Sequence, residues 1–436
     1  MKYTMIFQLA VLFGMTFSMQ AQEVLTAEQA VKIALENNYE IKIAANDLKV
    51  DQTNATIGNA GMLPKVSATV VDNNGIQYIS QTRSDGTVNS LNNAKNNSLN
   101  YGVGLGWTIF DGFGMFARFD QLKEMQKQGE NEFKFTILTK VGDVMASYYD
   151  LVQQQQQLQA YDTTLVISKQ RVDLAKNRFT IGKASKLEVL NAQVDLNTDE
   201  TNLLRQRELY SNTKIKLNEI LARDTTIDFV VEENVSIDEK LLLPDLSALA
   251  EKQNPELQAQ IINKRITELQ LKNVKSTRYP TVGVSTGYNF ADSQSSLGFT
   301  SQSYSRGWNY GFNATLNLFD GLNQNRLEKV AKIQIENSDY LIQKQSQALK
   351  SQLAQSYQTY LTNLQLIKLE DKNEDIAQQN LQITLDKFRI GTITTLEFRT
   401  AQLNYINAKV RNSNAQYEAK LSEIALKQLA GNLSLQ

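Results

Sequence analysis

Glu188 and Glu397 occupy matched places in a block that the chain uses twice. Residues 178–193 read RFTIGKASKLEVLNAQ and residues 387–402 read KFRIGTITTLEFRTAQ, so Phe, Ile, Gly, Leu, Glu, Ala and Gln recur 209 positions apart. Carboxylates gathered at close range raise one another's pKa and favour cations. Against that chemistry stands a plainer one, an acid in the first turn of an ordinary solvated helix. Asp111 and Asp320 are also paired acids, each followed by glycine and preceded by phenylalanine. Asp-Gly after a strand reads as a turn rather than as an acid/base pair. The 436 residues contain neither Cys nor His. That removes thiolate nucleophiles, His-based triads, disulfides and the common zinc sites, and no cofactor is expected. A formal net charge of −1 gives no support for nucleic-acid binding.

Each block reads as the turn of a long helical hairpin, with Gly182 and Gly391 at the turns. From 113 to 179 there is no proline and, beyond Gly114 at its start, only Gly129 and Gly142, among abundant Gln, Leu, Lys and Glu. One helix is expected there, and at about 1.5 Å per residue it would reach roughly 100 Å. Such a length needs helical neighbours to bury its apolar stripe. The Gln153–Gln157 run reads as a solvated face. Return helices are expected at 185–221 and 394–429, and a third long helix at 322–388. All four prolines, at 64, 244, 255 and 280, fall outside these spans.

The hairpins are preceded by stretches of another period. Tyr101, Val103, Leu105, Trp107 and Ile109 alternate with Gly102, Gly104, Gly106 and Thr108. Val282, Val284, Thr286 and Tyr288 alternate with Gly283, Ser285 and Gly287; Tyr310, Phe312, Ala314, Leu316 and Leu318 alternate with small or polar residues. Period 2 with bulky and small faces is a strand between two unlike media. A strand of about ten residues suits a tilted membrane span, although a soluble sandwich could use the same pattern. Tyr101, Trp107, Tyr288, Tyr310 and Phe312 are the candidate lipid-facing residues. Residues 72–100 and 292–306 are polar without periodicity and read as long loops.

Short elements frame these. Thr26-Ala27-Glu28-Gln29 fits a capping box, and a second helix follows from Asn38 to about Gly61. Asn254-Pro255-Glu256-Leu257 is a helix start, and a short strand is expected at 227–231. Lys2, an apolar run from Met5 to Met19 and Gln20-Ala21 make a signal peptide cut after Ala21; a single membrane anchor is the other reading. The expected organisation is a signal peptide at 1–21, a first repeat at 22–221, a linker at 222–244, a second repeat at 245–430 and a tail at 431–436. The strand pairs would lie at 64–110 and 280–319, the helical hairpins at 113–221 and 321–430.

Four membrane strands leave two edges, which lipid does not tolerate. Closure by three chains would give about 12 strands, within the range of outer-membrane barrels. A dimer could close too, with a filled interior.

The strand starts Leu63-Pro64 and Tyr279-Pro280, both Phe-Asp-Gly sites, Asn254-Pro255-Glu256-Leu257 and both hairpin-turn blocks resemble the TolC-type outer-membrane efflux protein family over essentially the whole mature chain. The resemblance implies a mixed, mainly α fold with two repeats per chain. It implies a homotrimer whose 12-stranded transmembrane β-barrel is continued by a long α-helical barrel across the periplasm of a Gram-negative bacterium. Its function would be passive export of small molecules or proteins, in tripartite efflux or type I secretion. The partners would be a periplasmic adaptor protein, an inner-membrane transporter of RND, ABC or MFS type, and outer-membrane lipid. No nucleic acid and no enzymatic activity are expected. A secreted coiled-coil structural or adaptor protein is the reading from another class.

By the same resemblance Glu188, Glu397, Asn191 and Thr400 would lie at the pore constriction. Phe179, Gly182, Lys183, Phe388, Gly391 and Ile393 would form the periplasmic tip that docks the adaptor. Some relatives carry a second acid where Asn191 and Thr400 stand, a locking arginine where Ile393 stands, and a tyrosine at Phe179 and Phe388. A polar latch like theirs is therefore not expected. Apolar packing of Phe179, Phe388 and Ile393 takes its place.

Overall fold

The computed structural model describes residues 23–297 and 300–433; the expected signal peptide lies outside them. Two compact units are present, each assembled from separated stretches.

One unit takes residues 45–132 and 256–345. Its sheet holds β2 (Lys65–Thr82), β3 (Val88–Asp111), β5 (Thr281–Ser295) and β6 (Gln302–Thr315), all antiparallel in the order β2-β3-β5-β6. The stretches 72–100 and 292–306 are largely strand, not loop. Pairing runs unbroken from Lys65↔Gly106 to Gln77↔Ala94, shifts once, and resumes from Ile79↔Leu91 to Thr82↔Val88. The remaining β2–β3 turn is short: Arg83 N–H donates to Thr87 O at 2.8 Å, and the Asp85 carboxylate accepts from Thr87 N–H at 2.9 Å. The loop expectation failed because apolar alternation reports a buried face, whereas a ladder needs only backbone partners. With Asn and Ser on both faces, no alternation survives to be seen.

At the strand exits the acids act as caps. Asp111 accepts from Met115 N–H at 2.9 Å and pairs with Arg118 at 2.7 Å; Asp320 accepts from Gln324 N–H at 2.7 Å. Phe113 and Leu322, just beyond, take left-handed φ of 68° and 66°. These turns launch α3 (Gly114–Thr180) and α7 (Asn323–Ile390).

The other unit takes residues up to 44, 133–255 and from 346. It holds most of α3 and α7, the return helices α4 (Lys186–Ile220) and α8 (Thr395–Leu429), and short helices α1 (Ala27–Asn37) and α5 (Leu243–Gln253). Helices α2 (Tyr39–Asn54) and α6 (Pro255–Ser276) complete the chain; α2 ends earlier than the sequence suggests. The Thr26–Gln29 capping box is complete. A parallel pair, β1 (Glu23–Leu25) on β4 (Phe229–Val231), seeds a core with Leu25, Val144, Tyr148, Leu151, Val152, Leu217 and Phe229. Burial there pushes the Tyr148 phenol up to about 12.

The Gln153–Gln157 run is not a solvated face. Gln157 donates to Ser413 Oγ at 3.2 Å and Asn414 Oδ1 at 2.7 Å on α8, and Gln206 on α4 donates to Gln154 Oε1 at 2.7 Å. Primary amides both donate and accept, so neighbouring helices are joined without charge. Among the described residues no helix is long and apolar enough to cross a membrane.

Candidate functional site

The two turns close in the same way. After α3 the Gly182 and Lys183 amides donate to Phe179 O and Arg178 O at 3.0 and 2.8 Å; after α7 Gly391 and Thr392 donate to Lys387 O at 3.1 and 3.0 Å. Gly182 and Gly391 take φ of 75° and 86°, the left-handed helix stop that glycine adopts without a Cβ penalty. The helices restart on hydroxyl caps. Ser185 Oγ accepts from Glu188 N–H at 3.3 Å and Thr394 Oγ1 from Glu397 N–H at 3.2 Å. The conserved spacing from glycine to glutamate within the duplicated block thus places each acid at the third position of a returning helix.

The two acids then diverge. Glu397 folds back on its own cap, accepting from Thr394 N–H at 2.8 Å and its hydroxyl at 3.0 Å. The Thr394 amide, with the hydroxyl second, holds this carboxyl below the usual glutamate range. Glu188 reaches across to the other hairpin and accepts from the Thr395 hydroxyl at 2.5 Å. Arg178 makes a second crossing: its guanidinium donates to Phe388 O at the C-terminal end of α7 and stands 4.6 Å from the Phe388 ring centroid. A cation there meets the negative end of the helix. Polar links between hairpins therefore exist; their donors, Thr395 and Arg178, are residues that the sequence did not single out, whereas the acceptors, Glu188 and Phe388, were both candidates.

Phe388 stacks on Phe398 with centroids 4.9 Å apart. Leu381, Leu385, Ile393, Leu174, Ile167 and Tyr405 pack around them. Phe179 does not join this cluster; it is 46% exposed. Its ring lies on the turn of α3, one position beyond Arg178, which takes the inward place. Lys183, Asn191 and Thr400 are exposed, and the Thr400 hydroxyl donates to Leu396 O at 3.0 Å. On the sheet, the register puts Tyr101, Trp107, Tyr288, Tyr310 and Phe312 on one face. Tyr310 and Phe312 are among its most exposed residues, and Trp107 Nε1–H donates to Met62 O at 2.8 Å.

A buried ionic group behind the turns escaped the sequence altogether. Arg399 on α8 donates through both Nη atoms to Asp199 on α4, at 2.7 and 2.9 Å. Ser168 donates to the same carboxylate at 2.5 Å, Gln402 donates to Ser168 Oγ at 2.7 Å, and Arg171 pairs with Asp195. The only sequence signal is polar pairs at helical spacing, such as Ser168 with Arg171 and Asp195 with Asp199. Their meeting across the hairpins has no local signature.

Comparisons with known proteins agree with this architecture. The chain is 21% identical over 330 residues to outer membrane protein TolC of Vibrio cholerae serotype O1, covering 73% of each chain. Among solved structures it resembles the outer-membrane channel OprN, with TM-score 0.76, 15% identity and 93% and 90% of the two chains covered. It also resembles VceC from Vibrio cholerae, with TM-score 0.74, 15% identity and 93% and 96% covered. These likenesses show the fold. The model of the family described as outer membrane efflux protein matches residues 30–223 and 246–432. The chain, an efflux channel of the outer membrane with a periplasmic tunnel, belongs to the outer membrane efflux protein family.

Proposed function

We propose that three copies close one 12-stranded barrel and one continuous helical conduit, through which solutes leave without energy input from this chain. The observation that carries the reading is the sheet. It has one apolar and aromatic face, one face of small and amide residues, and two outer edges on β2 and β6. Unpaired backbone is not tolerated in lipid, and β6 of one copy beside β2 of the next satisfies both edges. Two repeats per chain, 22–221 and 245–430, would then supply six hairpins.

The turns at Gly182 and Gly391 form the end that meets a periplasmic adaptor, with Phe179, Lys183, Phe388 and Ile393 around them. Glu188, Glu397, Asn191 and Thr400 border the entrance. An inner-membrane transporter of RND, ABC or MFS type supplies the energy through that adaptor, since no phosphate-binding loop of the Gly-x-x-x-x-Gly-Lys type occurs in the sequence. Native mass spectrometry and bilayer conductance of the detergent-purified protein test this. The expected species is a conducting trimer of 49.2 kDa chains, less any cleaved leader; a water-soluble, non-conducting monomer overturns it in favour of a periplasmic coiled-coil protein.

A further inference from the structure

The two faces of the sheet differ in charge as well as in size. Strand register groups Ser67, Thr69, Val71 and Asn73 of β2 with Gly104, Gly102, Asn100 and Ser98 of β3. The same rows continue through Gly287, Asn289, Ala291 and Ser293 of β5 to Asn309, Gly307, Ser305 and Ser303 of β6. No ionisable side chain occurs in any of these rows. Charge reaches this face only at its ends, with Lys65 opening β2 and Asp111 closing β3, where Arg118 neutralises it. The other charges of the four strands, Asp72, Lys95, Asp292 and Arg306, all fall on the opposite, aromatic face.

The amides also keep a low profile. A Cβ on Gly102 would collide with the Asn289 amide oxygen, and one on Gly283 would stand 2.7 Å from that of Asn313. Each amide therefore lies across a glycine of the neighbouring strand instead of projecting from the wall. Alternating Asn and Gly makes a flat, hydrated, uncharged surface.

We infer that the sheet section of the conduit is blind to charge. It passes cationic, anionic and neutral solutes alike. This rests on the channel reading above, with the small-residue face turned to water. A charged wall repeated by symmetry would generate potentials of several kT, enough to bias the local concentrations of two oppositely charged probes in opposite directions. A wall of Asn, Ser, Thr and Gly produces no such bias.

The chain's lack of cysteine makes the test direct. Ser285→Cys and Ser67→Cys introduce single thiols on the inferred water-facing side, and Val284→Cys one on the aromatic side. The full-length variants, in vesicles of neutral lipid at 0.15 M salt, are treated with a trimethylammonium-ethyl and with a sulfonatoethyl methanethiosulfonate. Labelling rates are read by mass spectrometry and divided by those of a small free thiol. At this salt charges act over about 8 Å, so the thiols report the wall beside them. The inference expects both serine-site thiols to label, with a cation-to-anion rate ratio within twofold of the free thiol, and the valine-site thiol to remain unlabelled. Labelling of the serine sites with a ratio shifted tenfold or more overturns charge blindness while leaving the channel intact. Labelling of Val284→Cys alone, or of none, overturns the assignment of faces and the channel reading with it.

Discussion

The Thr395 hydroxyl donates to the Glu188 carboxylate at 2.5 Å, tying the first turn of α8 to the first turn of α4. The tie joins the two hairpins at residues that follow their turns. Removing it by Thr395→Val or Glu188→Ala leaves both helices capped, because neither change touches Ser185 or Thr394, and the Ser185 cap uses only the backbone N–H of residue 188. In a double-mutant cycle on tip stability the coupling is expected to be about 1 kcal/mol, since Glu188 is partly exposed to water. In bilayers the variants should open more often than the parent. Equal open probability in all of them would remove this contact from control of the entrance.

Gly182 and Gly391 share a left-handed backbone but not their surroundings. A Cβ on Gly182 meets nothing within 4 Å, whereas one on Gly391 stands 3.4 Å from Arg178 Nη2. Gly182→Ala should cost only the backbone strain, about 1 kcal/mol. Gly391→Ala should cost at least as much, because its methyl also comes into contact with the Arg178 guanidinium at the end of α7. Proteolytic cleavage rates at the two turns measure the difference; a larger effect at Gly182 would contradict it.

Asp199 is the acid on which the buried ionic group depends. Asp199→Ala strands Arg399, and breaking such a pair costs about 3–5 kcal/mol. Asp195, 3.7 Å from Arg399 Nε, keeps part of the attraction, so the lower end is expected. Replacing both partners, with Asp199→Leu and Arg399→Leu, should cost less than the single change. Hydrogen exchange of peptides spanning 164–203 and 395–412 reads both. A double variant less protected than Asp199→Ala would reverse the argument.

The Glu397 cap carries a pH dependence of known sign. Its carboxyl is held below the usual glutamate range in the folded chain, so the folded state binds the proton less readily than the unfolded one. The resulting stability is present above the ordinary glutamate value of about 4.3. It is lost as pH falls through the lowered folded value. Protection of the amides of 394–398 should fall across that acidic window in the parent and stay flat in Glu397→Gln, which keeps the acceptor without titrating. The same acid-induced loss in Glu397→Gln would assign the effect to another group.

Much of the helical architecture was legible because length, caps and breakers act locally. The predicted helix at 113–179 is observed as Gly114–Thr180, and the glycine turns stop helices where a left-handed residue is required. What escaped the sequence depends on partners far along the chain. Residues 72–100 hid a strand because both of its faces are polar. Phe179 was grouped with Phe388 by its place in the duplicated block, yet only Phe388 finds Phe398 to stack on. Gln153–Gln157 reads as solvated until α8 arrives beside it. The Arg399–Asp199 pair spans 200 positions, and no periodicity within either helix announces it.

The sheet also has an order of assembly written into it. Each of the pairs β2–β3 and β5–β6 is a hairpin that can form as soon as its own turn does. The central pair, β3 with β5, joins Asn96–Asp111 to Thr281–Ser295, and everything between must be synthesised before it can zip. Loop closure of that size is slow relative to hairpin formation. Two hairpins therefore wait as separate two-stranded pieces with exposed edges until the chain between them is made and they meet.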